Sequence, residues 1–363
     1  MQDSTLAKSL IALDSVIGVS GNEEEVIAAF KAEMTSESGL YDTYEEDPIG
    51  DQLYVRKGKG DKRLLLAAHM DEVGFVISYI EDSGFARIMP VGFHDDRMIV
   101  NQDLVFLTSE GKHVDGITGS KPAHLALMED HDKAIPINQL FVDFGTSSAE
   151  ETRALGLEIG DYGSYSRKGF FMNGTDIYTG KSVDDRASLA VICEVARRLK
   201  GKELGCTVGF GGTVQEEVGM RGGGPLTRRF KPDLMLAVDV TLSGGTPGVE
   251  PCEANQEFGK GLSFVMYDWD QVITCGTNPR KKVTNYLKKI ARENSIPHQF
   301  STMMGGGTDS WPSAISETGT MAACIGFPSR YIHTAVSNVK LSDMEWAVRF
   351  LVKLIEDFPN AGL

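Results

Sequence analysis

A short apolar run, Leu64-Leu65-Leu66-Ala67-Ala68, is the feature that most constrains the fold of this chain. It shows no alternation of polar and apolar residues, which is typical of a strand buried on both faces of a sheet. The run ends abruptly in the polar segment His69-Met70-Asp71-Glu72. Because open α/β sheets bind ligands beyond the carboxyl ends of their strands, this segment marks a candidate site.

Other α/β elements are predicted from apolar spacing and from helix-start signals. Capping-box sequences place helix starts at 20–23 and 342–345. Apolar residues predict an amphipathic helix over 187–199, a helix near 282–292, and strands near 207–214, 234–240 and 321–325. This alternation favours an α/β sandwich in which most connections are crossover helices.

The residues from about 73 to 171 have a different pattern, with short β-rich runs separated by turn signals. Examples are 74–79, 104–107 and 139–144. We therefore predict a small β-barrel or sandwich over 73–171, inserted into a catalytic domain formed by 1–72 and 172–363.

Composition narrows the class of protein. The chain has 363 residues, 41% of them hydrophobic, and a formal net charge of -15, which is the wrong sign for neutralising nucleic-acid phosphates. Neither a signal peptide at 1–5 nor a run of about 18 to 20 apolar residues is present, so no membrane association is expected. The five cysteines are widely spaced and contain no CxxC pair, which favours a cytoplasmic location over a disulfide framework or a zinc ribbon.

Polar segments that follow predicted strands, or that precede the long helix, supply two imidazoles and several carboxylates. They are His69-Met70-Asp71, Ser182-Val183-Asp184-Asp185-Arg186, Gln215-Glu216-Glu217, Asp239 and Arg330-Tyr331-Ile332-His333. Several carboxylates at one sheet edge need a cationic partner, because like charges and lost hydration both disfavour ionisation. Arg186, Arg221 and Arg330 could serve as ion-pair partners, but histidine with carboxylate is also the ligand set of zinc, cobalt or manganese.

The number of ligands favours two ions. His69 and Asp239 could hold one, Glu217 and His333 the other, and Asp184 could bridge them, which leaves a position open for water.

Two further acidic residues have predicted roles beside the metals. Glu216 would carry the proton of the attacking water, provided that the chain turns after the strand so that Glu216 and Glu217 face one site. Asp71 has the reach to accept the second N–H of His69 and fix its tautomer.

Six segments, in chain order, carry a resemblance to a known family. They are His69-Met70-Asp71-Glu72-Val73-Gly74, Val183-Asp184-Asp185-Arg186, Thr213-Val214-Gln215-Glu216-Glu217-Val218-Gly219, Asp239-Val240-Thr241, Gly307-Thr308-Asp309 and Arg330-Tyr331-Ile332-His333. Together they closely resemble the cytosolic dinuclear metallo-aminopeptidases that include the tetrahedral aminopeptidases and glutamyl aminopeptidase, some of whose relatives have been labelled endoglucanases.

The resemblance implies a zinc-peptidase-like α/β/α sandwich interrupted by a PDZ-like β-barrel dimerisation domain. It also implies two divalent ions, zinc first and cobalt or manganese as alternatives, a cis peptide at Asp184-Asp185, a peptide substrate and assembly as dimers or tetrahedral dodecamers. The implied roles match those above, with Glu216 as general base and Asp71 orienting the first histidine. The implied metal ligands are His69, Asp184, Glu217, Asp239 and His333.

This chain departs from the family pattern around the pocket. The loop after Asp239 lacks the aspartate that commonly precedes Thr246-Pro247-Gly248, His333 is followed by Thr334-Ala335 instead of a motif closed by glutamate, and Ser310-Trp311 is unusual after Asp309. Asp309 is a candidate to anchor a substrate ammonium or line the pocket, and Arg330 is a candidate substrate-binding residue.

Simpler interpretations remain open for single residues. Asp185 and Ser182 could merely cap the helix that follows. The remaining histidines lie away from the predicted strand ends and are expected to be structural or surface residues: His94, His113, His124, His131 and His298.

The expected function is removal of N-terminal residues from peptides by a two-metal hydrolase. A related amidohydrolase that acts on N-acyl groups or C-terminal residues is the alternative. A glycosidase is disfavoured, because neighbouring Glu216 and Glu217 are poorly arranged to face each other across a sugar. A catalytically silent assembly protein is disfavoured because none of the proposed residues is missing.

Overall fold

The computed structural model describes residues 1–125, 133–271 and 274–363. Its helices are α1 (Thr5–Asp14), α2 (Glu24–Thr35), α3 (Ala149–Ala154), α4 (Val183–Leu199), α5 (Gly223–Phe230), α6 (Lys281–Glu293), α7 (Ser310–Ala314) and α8 (Leu341–Asp357). Within these ranges, no helix combines the length and the apolar character needed to cross a bilayer.

A large mixed sheet forms the main body of the protein. Its strands are β1 (Thr43–Glu46), β2 (Gln52–Arg56), β3 (Arg63–His69), β10 (Phe170–Phe171), β11 (Ile177–Gly180), β12 (Thr207–Thr213), β13 (Leu234–Leu242), β14 (Leu262–Trp269), β15 (His298–Met304), β16 (Ala322–Arg330) and β17 (Ser337–Lys340). The main path runs β1-β2-β12-β3-β13-β16-β17-β11-β10, and β14 pairs with both β15 and β16.

The central strands β12, β3, β13 and β16 are parallel, so their carboxyl ends meet at one edge of the sheet. Thr213 pairs with His69, and Asp239 pairs with Gly326. Apolar side chains of alternate parity cover the two faces of the sheet, with the core that includes α1, α4 and α8 on one face and the cluster that includes α5 on the other. Because side chains alternate along a strand, His69 and Asp239 project to the α5 face beyond the packed layer.

A closed antiparallel barrel interrupts this body. Its strands are β4 (Gly74–Ile80), β5 (Ala86–Val91), β6 (Asp103–Leu107), β7 (His113–Thr118), β8 (Phe141–Asp143) and β9 (Tyr162–Tyr165), joined in the order β4-β5-β8-β7-β6-β9. A separate apolar core that includes Phe75, Ile77 and Phe106 fills it. The expectation of an α/β domain with an inserted β-barrel is confirmed, whereas the boundaries at 73 and 171 stay a prediction.

Several local predictions were wrong because tertiary contacts prevailed. Helix α2 begins at Glu24, and the Ser20 hydroxyl donates to Asp71 instead of capping the helix. Helix α8 begins at Leu341, one residue before the predicted start, so only its capping box was wrong: no side chain caps the helix, and the Asp343 carboxylate accepts from the backbone N–H groups of a neighbouring loop. Helix α4, expected to be amphipathic, is buried along nearly its whole length. Strands β14 and β15 were not predicted, because their sequences mix polar and apolar residues without clear alternation.

Candidate metal centre

The Asp184 carboxylate lies between two histidines and is the centre of the candidate site. Its Oδ1 is 3.0 Å from His69 Nε2, and its Oδ2 is 3.3 Å from His333 Nε2. His69 comes from the end of β3, Asp184 from the irregular first turn of α4, and His333 from the loop after β16, where its φ is +60°. Segments that are far apart in the sequence therefore converge on one carboxylate, whose two oxygens face different imidazoles.

Carboxylates complete two groups of potential ligands around this centre. Glu217 Oε2 is 3.4 Å from His333 Nε2, and the ligand atoms of His69, Asp184 and Glu217 all lie within 4.8 Å of one another. The ligand atoms of His69, Asp185 and Asp239 form a second group, in which they also lie within 4.8 Å of one another. Asp185 was not predicted as a ligand, because a helix-capping role explained its position equally well.

The peptide bond between Asp184 and Asp185 is cis, as the resemblance implied. Asp185 is fully buried, and within the described ranges neither of its carboxylate oxygens has a hydrogen-bond partner. Ser182 precedes α4 but makes no side-chain capping bond. The capping interpretation therefore accounts for neither of these two side chains.

Asp71 supports the turn that carries the two glutamates. Its carboxylate accepts hydrogen bonds from the backbone N–H of Glu216 (3.0 Å), the backbone N–H of Glu217 (3.1 Å) and the Ser20 hydroxyl (2.6 Å). The His69 Nδ1 atom is nearer to the Asp71 backbone carbonyl, at 3.1 Å, than to its carboxylate, at 3.5 Å. Asp71 thus positions both His69 and the glutamate turn.

The glutamates lie beyond the end of β12, as their predicted roles require. Gln215 has a φ of +57° and Gly219 a φ of +121°, so the chain turns sharply on both sides of Glu216 and Glu217. The Gln215 backbone N–H donates to the Glu23 carboxylate at 3.1 Å, which holds the start of the turn. Because of this turn, the two neighbouring side chains are not forced to opposite faces as they would be in a strand.

The inserted barrel contributes directly to the site. His333 Nδ1 lies 2.9 Å from the backbone carbonyl of Phe93, in the loop after β5, so the tautomer with hydrogen on Nδ1 leaves Nε2 free to face the carboxylates. Gly92, with a φ of +81°, lets this loop approach closely, since an added Cβ would fall 2.7 Å from Val73 and 3.4 Å from Glu217. A backbone acceptor leaves no residue-specific signal, so the sequence analysis could not find it.

The electrostatics of the cluster are those of an acidic site that lacks compensating cations. Burial raises the pKa of Glu217 to about 7, with Asp184 adding to the rise, and burial likewise raises the pKa of Glu216 and Asp239 well above their usual values. Burial would lower the pKa of His333, but the charge of Glu217 and contact with Asp184 raise it to about 10. Divalent cations placed among these groups would offset the cost of burying several carboxylates together.

Arginines do not fill that role. Arg186 donates to the Leu13 carbonyl and approaches Glu72, Arg221 donates to the Gln215 side chain, and Arg330 lies over the Phe258 ring. The ion-pair alternative therefore has no contact to support it among the described residues. The mixed imidazole and carboxylate donors suit divalent cations, as do the oxygens of Asp185 and of Glu217 (Oε1) that have no hydrogen-bond partner among the described residues.

Asp309 lies beside the same strand ends. Its Oδ2 accepts from the Thr213 hydroxyl at 2.5 Å, while its buried Oδ1 has no hydrogen-bond partner in the part of the chain that the structure describes. Burial raises the pKa of Asp309 to about 6. Arg330, at the end of β16, is half-buried and its Nε also has no hydrogen-bond partner.

None of the other described histidines belongs to the two groups of potential ligands. His94 stacks on Phe75, and its Nε2 lies 2.8 Å from the Gly74 carbonyl. His113 contacts Glu25 at 2.6 Å. His124 is exposed and His298 packs near Phe264, while His131 lies outside the described residues.

Comparisons with known proteins find aminopeptidases. The sequence model of a family described as M42 glutamyl aminopeptidase matches residues 50–350. Glutamyl aminopeptidase of Lactococcus lactis subsp. cremoris is 30% identical, covering 95% of this chain and 94% of the relative.

Solved structures give the same result. An aminopeptidase from the archaeon Desulfurococcus kamchatkensis has a TM-score of 0.90 and 33% identity, covering 97% of this chain and 94% of that one. The TET1 peptidase of Pyrococcus horikoshii, described as assembling into a tetrahedron or a large octahedral shell, has a TM-score of 0.82 and 28% identity, covering 96% and 99%.

Proposed function

Since this chain belongs to the M42 glutamyl aminopeptidase family and is a peptide hydrolase, we propose that it removes N-terminal residues from short peptides. The acidic centre around Asp184 would bind two divalent cations for this reaction. The observation that carries the proposal is the Asp184 carboxylate placed between His69 Nε2 and His333 Nε2. Zinc is the proposed native metal, with cobalt and manganese as alternatives.

Each proposed ligand has a defined place in the site. His69 and Asp239 would hold one cation, Glu217 and His333 the other, and Asp184 both, with Asp185 close enough to join the first group. When bound, the cations would lower the pKa of a shared water and polarise the scissile carbonyl.

Glu216 is the proposed general base. Its backbone N–H is held by Asp71, so the carboxylate is presented from a fixed turn beside Glu217. Glu216 would accept the proton of the attacking water on a carboxylate oxygen and deliver it to the leaving amine. Burial favours its protonated form, which suits the second of these transfers once the first has occurred.

Asp309 and Arg330 are proposed to contact the substrate. The unpartnered Oδ1 of Asp309 could accept a hydrogen bond from the α-ammonium group of a peptide, an interaction that would select free N-termini. The Arg330 guanidinium lies over Phe258, and its Nε has no hydrogen-bond partner among the described residues, so it could donate to a substrate carbonyl or carboxylate.

Self-association through the barrel is proposed on two grounds. The barrel exposes apolar side chains that a monomer would leave in water, among them Tyr79, Met89 and Ile117, each more than half exposed. The TET1 peptidase, which shares this fold, is described as a tetrahedral or octahedral assembly. A dimer is the smallest assembly that could cover these side chains, and a tetrahedral dodecamer is the larger alternative.

We also propose a cytoplasmic location, since the five cysteines are free thiols.

The test compares wild type with Glu216→Gln after metal removal and reconstitution with zinc, cobalt or manganese. Aminoacyl p-nitroanilides should be cleaved by wild type, whereas Glu216→Gln should bind two metals per chain and turn over about 10²- to 10⁴-fold more slowly. The N-acetylated forms of the same substrates separate the alternatives. Preferential cleavage of the blocked forms would favour the amidohydrolase, and full turnover by Glu216→Gln would remove Glu216 from its role.

A further inference from the structure

Glu72 directly follows the segment that carries His69 and Asp71, and its side chain is buried, with 2% exposed. Its Oε1 accepts the Gly18 backbone N–H at 3.0 Å, and its Oε2 accepts the hydroxyl of Ser164, in barrel strand β9, at 2.8 Å. The Glu72 backbone N–H also donates to the Gly18 carbonyl at 2.9 Å. One side chain thus joins the end of β3, the segment after α1 and the barrel.

Lys181 connects this group to the other side of the site. Its Nζ lies 2.5 Å and 2.7 Å from the two Glu72 oxygens and donates to the Val16 carbonyl at 2.8 Å, with 4% of its side chain exposed. Lys181 precedes Asp184 by three residues, just as Glu72 follows His69 by three. The ion pair therefore ties the chain next to one proposed ligand to the chain next to the other.

We propose that Glu72 and Lys181 are positioning residues that set the separation of His69 and Asp184, and that Ser164 makes this separation depend on the docked barrel. Neither residue belongs to the two groups of potential ligands. The proposal rests on the proposed function for its catalytic meaning, but its direct consequence is for metal binding.

The geometry explains why a buried pair would act in this way. A buried ion pair contributes little net stability compared with apolar side chains of similar size, but each of its hydrogen bonds fixes a direction and a distance. Second-sphere residues that orient metal ligands commonly change metal affinity by about 10- to 100-fold when replaced. The His69 Nε2 to Asp184 Oδ1 distance of 3.0 Å is the quantity that the pair would control.

The test titrates metal-free protein with Co²⁺ and follows visible absorption, with chelator competition to measure affinity. Glu72→Gln and Lys181→Met should each bind Co²⁺ at least about tenfold more weakly than wild type, with altered band intensity. Ser164→Ala, which removes one hydrogen bond and leaves the ion pair, should fold and show a smaller loss of about threefold.

Glu33→Gln is the matched control. Glu33 accepts from Arg197 and Ser9, each at 2.5 Å, in a half-buried ion pair that makes no contact with the candidate centre. This variant should lose stability in urea but keep wild-type Co²⁺ affinity and spectrum.

The outcomes test the positioning role of Glu72 and Lys181 separately from the proposed aminopeptidase activity. If Glu72→Gln, Lys181→Met and Ser164→Ala all bind Co²⁺ as wild type does, the pair is merely structural and the inference is overturned. Should the two charge variants fail to fold, Ser164→Ala decides alone, and unchanged affinity would again overturn it. A wild type that binds two Co²⁺ ions but cleaves no aminoacyl substrate would refute the proposed function while leaving the coupling measurable.

Discussion

Replacing Asp71 with asparagine tests whether its carboxylate builds the glutamate turn. Three donors converge on its two oxygens: the Ser20 hydroxyl and the Glu217 backbone N–H on Oδ2, and the Glu216 backbone N–H on Oδ1. Asparagine offers one oxygen, so in either orientation its NH₂ group faces a backbone N–H.

The cost can be estimated from these contacts. One buried N–H left without an acceptor costs about 1 to 3 kcal/mol. The hydrogen bonds that remain lose the carboxylate charge, a difference of about 1 kcal/mol each. We therefore expect Asp71→Asn to lower the free energy of unfolding by about 3 to 5 kcal/mol and to reduce turnover, because the turn that presents Glu216 loses a support.

Urea unfolding of metal-free protein and p-nitroanilide turnover of reconstituted protein measure the two effects. Asp343→Asn is the matched control, because Asp343 is equally buried and accepts two backbone N–H groups, from Gly259 at 2.6 Å and Gly261 at 2.8 Å. It should lose stability yet keep wild-type turnover. An Asp71→Asn protein with an unfolding free energy within about 1 kcal/mol of wild type would refute the hydrogen-bond reasoning.

The same variant has a predicted pH dependence. Burial opposes ionisation of Asp71, but hydrogen bonding and charge from His69, with the Ser20 hydroxyl, hold the pKa of Asp71 below its usual value. A depressed carboxyl pKa contributes stability above the unfolded-state pKa of about 3.9 and loses it as the pH falls below that value. The stability difference between wild type and Asp71→Asn should therefore be full at pH 6 and should shrink in strongly acidic solution.

Two further predictions concern buried and left-handed positions. Burial raises the pKa of Asp51 to about 9, so the folded state prefers its protonated form and the free energy of unfolding falls as the pH rises from about 4 to 9. Asp51→Asn should therefore be more stable than wild type in urea at pH 8, and this difference in stability should close near pH 4. Equal stability at pH 8 would mean that Asp51 ionises freely in the folded protein. Gly92→Ala should reduce turnover at least about tenfold, because its Cβ would lie 2.7 Å from Val73 and displace the carbonyl that holds His333. Gly111→Ala has a similar positive φ with nothing near its Cβ, so it should cost only about 1 to 2 kcal/mol of stability, and an equal loss of turnover in both variants would contradict the proposed displacement.

The sequence was most informative where a local pattern maps directly onto structure. The apolar run from Leu64 to Ala68 is a buried central strand, and the polar residue His69 that ends it lies at the sheet edge. The β-rich stretch forms the barrel, and the motif residues around Asp184 and Glu217 converge as the strand-end argument predicts. These predictions depend only on residue type and spacing, which the fold leaves unchanged.

Local signals failed where a distant group offered a better partner. Ser20 has the capping-box spacing, but Asp71 accepts its hydroxyl in the folded chain. Asp185 has the residue type and the position of a helix cap, yet its carboxylate is buried beside Asp239 and His69. In both cases a short-range preference of about 1 kcal/mol is weaker than the charge-assisted or buried contacts available in the tertiary structure.

The amino-acid sequence by itself determined the central sheet-forming segments, the order of the polar motifs and the residue types available for chemistry, because these follow from composition, periodicity and spacing. The family was indicated separately, by the resemblance of six motif segments. Only the tertiary structure decided which atoms face each other: Asp184 between two imidazoles, the Phe93 carbonyl behind His333, and Lys181 paired with Glu72. Hydrogen-bond directions and distances between segments more than a hundred residues apart depend on how sheet and barrel pack, and packing is a property of the whole chain.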